Sequence, residues 1–129
     1  NRFWPALHAA GLTPRRLDPA EERTVLSRGV GITNLVPRAT AAAAELSDDE
    51  LRAGMLVLVE KVRAYRPRTL AILGVSAYRT AFQRPRAVLG EQPERIGDTR
   101  LWVLPNPSGL NAHYSLDALA RLFRQVGAA

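Results

Sequence analysis

The sequence predicts an α/β fold, a three-layer α/β/α sandwich built on a short parallel sheet. Three short segments are apolar nearly throughout and end in polar or turn-forming residues, which is typical of parallel strands covered on both faces. These segments are residues 29–36, 69–76 and 100–106. Helical patterns alternate with them, and such alternation implies right-handed crossover connections between the strands.

Two of the predicted helices begin with a capping box, in which a cap residue and the residue three positions later bond each other's main-chain N–H groups. Asp18 and Glu21 form the first box, with Pro19 at the first helical position, and Ser47 and Glu50 form the second. Apolar residues at helical spacing follow each box. The predicted helices span residues 1–11, 17–29, 46–67, 76–83 and 115–127.

The composition is that of a globular protein, with 47% apolar and 23% charged residues. A chain of 129 residues suits one domain with a single core, so we expect residues 1–129 to form one domain. Cysteine is absent, which excludes disulfides and thiolate metal sites, and His8 and His113 form no metal-ligand cluster in the sequence. No apolar run could span a bilayer and the first residues do not form a signal-peptide pattern, so we expect a soluble intracellular protein.

The basic charge favours a polyanionic partner, because nucleic-acid affinity depends largely on the neutralisation of phosphates. The formal net charge is +6 and the sequence pI is about 11.0. Eighteen residues are basic and only one of them, Lys61, is a lysine. GC-rich coding alone could produce so strong an arginine bias, so the charge supports nucleic-acid binding without establishing it.

The segment after the third predicted strand, "NPSGLN", is the most informative part of the chain. Asn106 ends the strand, Pro107 fixes the backbone, and Gly109 permits conformations closed to other residues. Leu110 then stands among polar residues before a helix that begins near Ser115. Leu110 either packs back onto the core or projects as an apolar tip.

This segment resembles the second signature motif of the mismatch-specific uracil DNA glycosylases, a branch of the uracil-DNA glycosylase superfamily that includes the thymine DNA glycosylases. Three further segments are similar to that family in the same order, so the resemblance covers nearly the whole chain. They are "NRFWPALHAAGLTPRRL", "GVGITNLVPRAT" and "YRPRTLAILGVSAY".

The resemblance implies a DNA-contacting loop and a role for its leucine. The loop consists of Pro107, Ser108, Gly109, Leu110 and Asn111. Leu110 is implied to enter the minor groove and fill the space of a flipped nucleotide, as apolar wedges do between base steps. The backbone of Gly109 and Asn111 would face the unpaired guanine, and Asn106 would border the uracil pocket. The family often has a basic residue shortly after the leucine, a place for which His113 is the candidate here.

The family's first motif, a "GINPG"-like loop that supplies a water-positioning asparagine, has no counterpart in these residues. By resemblance, the strand before that motif is the central one, flanked by the predicted strands 29–36 and 69–76. We therefore expect the functional protein to be longer, with this strand and the catalytic asparagine before Asn1. Within the chain, Asp48 and Asp49 are weak candidates for positioning water, because helix capping and complementation of the helix dipole already explain acidic residues in a first helical turn. Asn34 is a candidate contact of the uracil pocket or a phosphate, or a turn residue that ends its strand.

The sequence therefore predicts a monofunctional DNA glycosylase that flips uracil, or a related pyrimidine such as thymine, opposite guanine in double-stranded DNA and hydrolyses its glycosidic bond. The resemblance implies no cofactor, no metal and no lysine Schiff base. We expect a monomer that is cytoplasmic, in a bacterium, and associated with the nucleoid. Two alternatives stay open. One is a non-catalytic DNA lesion-binding domain, and the other is a small-molecule α/β enzyme in which the motif only caps a helix.

Overall fold

The computed structural model describes residues 2–36, 46–107 and 113–128. The described chain forms two compact units, the first made of Asn1–Thr33 with Pro105–Ala129 and the second of Asn34–Leu104. Four α-helices, one 3₁₀ helix and three strands are present in the described residues. They are α1 (Phe3–Ala9), the 3₁₀ helix (Pro19–Arg28), α2 (Asp48–Tyr65), β1 (Thr69–Leu73), α3 (Val75–Ala81), β2 (Gly90–Ile96), β3 (Thr99–Leu104) and α4 (Leu116–Ala128).

The first unit is helical, and its α1 and α4 pack against each other. Phe3 of α1 makes edge-to-face contacts with Trp4 (ring centroids 5.1 Å apart) and with Phe123 of α4 (6.1 Å). Arg124 also donates a 3.0 Å hydrogen bond to the carbonyl of Ala9 at the end of α1. Phe3 and Arg124 therefore hold α1 against the last helix.

Both predicted capping boxes are present. Asp18 and Glu21 form one at the start of the 3₁₀ helix, where the Asp18 N–H donates to the Glu21 carboxylate at 3.1 Å. Ser47 and Glu50 form the other at the start of α2, with 3.1 Å hydrogen bonds in both directions. Each box satisfies main-chain N–H groups that the first turn of a helix leaves without partners.

The second unit contains a three-stranded sheet in the order β1-β3-β2. β1 pairs with β3 in parallel, and β2 pairs with β3 in antiparallel fashion with an irregularity between Glu91 and Arg95. One face of β3 is buried through Leu101 and Val103, each at most 1% exposed. The core cluster on this face also contains Leu58, Val62, Ile72, Tyr78 and Ile96.

The α/β class is confirmed, with a small sheet flanked by helices, but two details of the prediction are wrong. The sheet is mixed rather than parallel. The described residues of the segment 29–36 form no strand, because no neighbouring strand offers them a hydrogen-bonding ladder. Leu35 and Val36 instead pack against Leu51 and Ala81 in a small apolar cluster.

The strand that the sequence analysis missed is β2, whose sequence "GEQPERI" is mostly polar. A strand at the edge of a sheet needs few apolar residues, since little more than one of its faces is covered. Only Gln92 and Ile96 are buried in β2, and the Gln92 amide donates to the carbonyls of Val88 and Gly90. Gly97 and Asp98 form the tight turn into β3.

Candidate functional site

The candidate site begins where β3 ends, at the start of the "NPSGLN" motif. Pro105 and Pro107 are buried and Asn106 between them is half-buried. Two buried prolines restrict the backbone of this exit, because each ring fixes φ. The predicted pocket residue Asn106 thus lies on a constrained segment at the end of a strand. Ser108, Gly109, Leu110 and Asn111 lie outside the described residues.

Arg2 bonds the second residue of this motif and a residue that follows the motif. Its main-chain N–H donates to the Pro107 carbonyl at 2.9 Å, and its guanidinium donates through Nη1 to the Tyr114 carbonyl. A hydrogen bond from a charged donor is stronger than a neutral one. Arg2, just before α1, therefore holds the chain at Pro107, where the loop begins, and at Tyr114, shortly after it.

α4 begins directly after this second anchor point. The Ser115 hydroxyl accepts a 3.1 Å hydrogen bond from the Ala118 N–H, and the Ser115 carbonyl accepts the N–H of Leu119 at 3.0 Å. Ser115 thus acts as the N-terminal cap of α4, and the helix begins near Ser115 as the sequence predicts. His113, the candidate basic residue after the motif, is exposed.

Asn34, predicted to end a strand, belongs instead to an irregular segment of the second unit and is exposed. The following residue, Leu35, lies against the main chain of α2. A Cβ atom added to Gly54 would come within 2.0 Å of the Leu35 carbonyl oxygen. Gly54 therefore permits a close approach between this segment and the helix, a packing role rather than a chemical one.

Asp48 and Asp49 occupy the first turn of α2, and both are exposed. Arg52 contacts both carboxylates, with N···O distances of 4.0 Å to Asp48 and 3.4 Å to Asp49. Acidic residues at this position complement the partial positive charge of a helix N-terminus. The observed contacts are those expected of residues that stabilise the start of a helix.

Nothing in the described parts of the chain groups three or more metal-ligating side chains. Among those same residues, no helix is both long enough and apolar enough to cross a membrane.

Arg2 is the residue that the sequence analysis missed at this site. "NRFW" contributes to the family resemblance only as a segment, and an arginine at this position gives no sign of a partner 112 positions away. The available signal was that the segments with "NRFW" and "NPSGL" both carry the family resemblance.

A comparison with protein-family models supports the resemblance at the level of the superfamily. The model described as the uracil DNA glycosylase superfamily matches residues 1–126, which include α1, the motif after β3 and nearly all of α4. The match covers almost the whole chain and shows the family without selecting one of its branches. The chain thus belongs to the uracil DNA glycosylase superfamily, whose members hydrolyse N-glycosidic bonds of DNA in base excision repair.

Proposed function

We propose that this protein hydrolytically excises uracil that lies opposite guanine in double-stranded DNA. The observation that carries the proposal is the match of residues 1–126 to the superfamily, together with the "NPSGLN" motif at the exit of β3. The motif resembles that of the mismatch-specific branch. A uracil opposite guanine is also less firmly paired than a base in a correct pair, so its extrusion costs less free energy.

The constrained backbone on both sides of the motif supports a role for Leu110 as the DNA wedge. A wedge must hold its position while base steps unstack, a process that costs a few kcal/mol. The buried Pro107 and the two hydrogen bonds of Arg2 supply a fixed base for such a loop. In this proposal Ser108, Gly109 and Asn111 contact the strand that carries guanine, and Asn106 borders the uracil pocket.

The two edges of the sheet support the proposal that another strand lies beside β1. β2 has the features of a natural edge strand, since it contains Pro93, charged residues and an irregularity in its pairing with β3. β1, with the sequence "TLAIL", has none of these features, and among the described residues no strand pairs with its outer edge. A strand there, followed by a loop that carries the water-positioning asparagine, would complete the site in the way the family resemblance implies.

The first experiment measures the intact mass of an active preparation and its excision activity in the same sample. A labelled duplex with one G:U pair is incubated with the protein and then treated with alkali, which cleaves at abasic sites. We expect alkali-labile product from G:U, less from A:U, and no strand cleavage without alkali. Equal rates on G:U and A:U would contradict mismatch specificity.

The mass decides where the catalytic group lies. Activity at a mass well above 14.2 kDa would support an asparagine outside these 129 residues. Activity at 14.2 kDa would make Asp48 and Asp49 the leading candidates, to be tested by Asp→Asn changes at each. Binding of the G:U duplex without excision at 14.2 kDa would instead favour the lesion-binding alternative.

The wedge assignment is tested with Leu110→Ala and with Leu110→Met, a control that keeps an apolar side chain of about the same volume. We expect the alanine variant to retain the G:U duplex less well by a few kcal/mol at most, and the methionine variant to resemble the parent. If the alanine variant bound and processed G:U duplex like the parent, Leu110 would not be the wedge. If both variants unfolded at lower temperature with unchanged binding, Leu110 would be a packing residue.

A further inference from the structure

The second unit contains a groove that the proposed glycosylase function does not use. It encloses about 250 Å³ between α2, α3 and β2. Apolar side chains line it, among them Met55 and Val59 of α2, Phe82 after α3, and Ile96 of β2. Phe82 is held in place because its ring stacks on the buried ring of Tyr78, with centroids 4.6 Å apart. The groove therefore has an apolar and well-supported floor.

The polar lining of the groove carries an excess of positive charge. Three arginines and one glutamate line it, which gives a formal charge of +2. Glu94 is already engaged, since its carboxylate accepts a 2.9 Å hydrogen bond from Arg84 and lies 3.4 Å from the Tyr78 hydroxyl. The other two guanidinium groups, of Arg63 and Arg95, are exposed and make no ion pair with any part of the chain that the structure describes.

An exposed leucine extends the apolar surface beyond the groove. Leu56 is 64% exposed, and on α2 it precedes Val59 by three positions and Arg63 by seven. Residues at this spacing lie along one face of a helix. The same face of α2 thus presents an exposed apolar side chain, the wall of the groove and an arginine in succession.

We propose that this groove binds a short acidic segment of another protein, which inserts one large apolar side chain between Val59 and Phe82. Carboxylates that flank this side chain pair with Arg63 and Arg95. Small-molecule sites generally enclose about 300 Å³ or more, so the cavity suits one anchoring side chain better than a whole ligand. An apolar floor gives no advantage to a phosphate backbone, and a second copy of a chain with charge +6 would be repelled.

The test uses a fluorescent 12-residue peptide that contains one phenylalanine and one leucine among aspartates and glutamates, with both ends blocked. Backbone amide NMR shifts locate its site on the protein, and fluorescence anisotropy measures its affinity. We expect shifts at residues 55–63, 82–84 and 94–96. Changing its two apolar residues to alanine, or its acidic residues to lysine, should each weaken binding at least tenfold.

Protein variants separate the groove from general electrostatics. Arg95→Glu and Val59→Asp should each weaken binding of the acidic peptide at least tenfold. Arg86→Glu changes the net charge as Arg95→Glu does, but Arg86 is exposed and does not line the groove, so it should leave affinity within about twofold of the parent. NMR spectra of each variant establish that it is folded.

Several results would overturn the proposal. Equal weakening by Arg86→Glu and Arg95→Glu would reduce the interaction to net charge. Stronger groove binding by a 12-nucleotide single-stranded DNA would assign the groove to nucleic acid, and concentration-dependent dimerisation that blocks the peptide would assign it to a second copy. None of these readouts involves excision, so the outcome is independent of the proposed enzymatic function.

Discussion

The main-chain N–H of Arg2 donates a 2.9 Å hydrogen bond to the carbonyl of Pro107, which joins the start of the first helix to the "NPSGLN" motif. The Arg2 guanidinium extends this link to the carbonyl of Tyr114, just before α4. One residue therefore fixes the chain at Pro107 within the motif and at Tyr114 after it, and the superfamily match covers both positions. A loop whose ends are held in this way loses less conformational entropy when it binds DNA.

The first prediction concerns the side-chain half of this link. Arg2→Met keeps the main-chain hydrogen bond and removes the guanidinium contact with Tyr114. A hydrogen bond from a charged group contributes about 1.5–3 kcal/mol, so we expect a loss of about 1–2 kcal/mol in the free energy of unfolding. The variant should also bind the G:U duplex more weakly than the parent. Chemical denaturation measures the stability, and a binding titration measures the affinity for the duplex.

Arg16→Met is the matched control, because Arg16 is exposed in the same unit and has no ion pair with the residues that the structure describes. It should leave both quantities close to those of the parent. If Arg2→Met and Arg16→Met had the same stability and the same affinity for the duplex, the hydrogen bond between Arg2 and Tyr114 would contribute to neither.

The second prediction concerns acid stability. Glu21 accepts hydrogen bonds from the Arg15 guanidinium, one of them 3.1 Å long, and from the Asp18 N–H. The Arg15 contact first, and then the backbone bond, lower the pKa of Glu21 from 4.5 to about 2. A lowered pKa means that the ionised Glu21 carboxylate stabilises the folded state at pH values above about 4.5. This stabilisation is lost as the pH falls from about 4.5 to about 2.

Glu21→Gln should therefore have a lower melting temperature than the parent at pH 6. At pH 2 the melting temperatures of the two proteins should lie closer together. The difference should be small at high salt, because the pair is solvent-exposed. Glu22→Gln, at the exposed neighbouring position, is the control and should show no comparable dependence on pH. If the melting temperatures of the parent and of Glu21→Gln differed by the same amount from pH 6 to pH 2, the lowered pKa of Glu21 would be contradicted.

The sequence was sufficient to predict those elements that depend on residues close together in the chain. Both capping boxes involve residues three positions apart, and the helices that follow Asp18 and Ser47 begin where the sequence predicts. β1 and β3 were also predicted, because their apolar runs are long enough to be recognised without knowledge of their partners.

Prediction failed where structure depends on long-range partners. The run 29–36 is as apolar as a buried strand, but an apolar run becomes a strand only when another strand pairs with it. β2 shows the reverse case, since β3 makes a strand of a polar sequence. The Gly97–Asp98 pair before Thr99 was the available signal for this hairpin.

The third prediction concerns the close approach of α2 and Leu35. In Gly54→Ala, the new Cβ would lie 2.0 Å from the Leu35 carbonyl oxygen, so the main chain must move. Alanine favours a helix by about 1 kcal/mol over glycine, but overpacking against main chain costs typically about 1–3 kcal/mol. We expect a net loss of stability in thermal unfolding.

Gly31→Ala is the control, because nothing lies within 4 Å of the added Cβ, and its stability should be nearly that of the parent. A stabilised Gly54→Ala variant would contradict the packing of Leu35 on α2.

The fourth prediction concerns alkaline stability. Burial, and then the nearby Glu94 carboxylate, raise the pKa of Tyr78 from 10.0 to about 12. A raised pKa means that the folded state favours the protonated phenol, so this contribution is intact below pH 10 and is lost as the pH rises towards 12. Between these values the stability of the parent should fall more steeply than that of Tyr78→Phe, by up to about 1.4 kcal/mol per pH unit.

Tyr65→Phe is the control, because Tyr65 is 84% exposed, and the stability of this variant should follow that of the parent. Denaturant unfolding at pH 9 to 12 measures the slopes, and parallel curves for the parent and Tyr78→Phe would show that the Tyr78 hydroxyl titrates as it does in the unfolded chain.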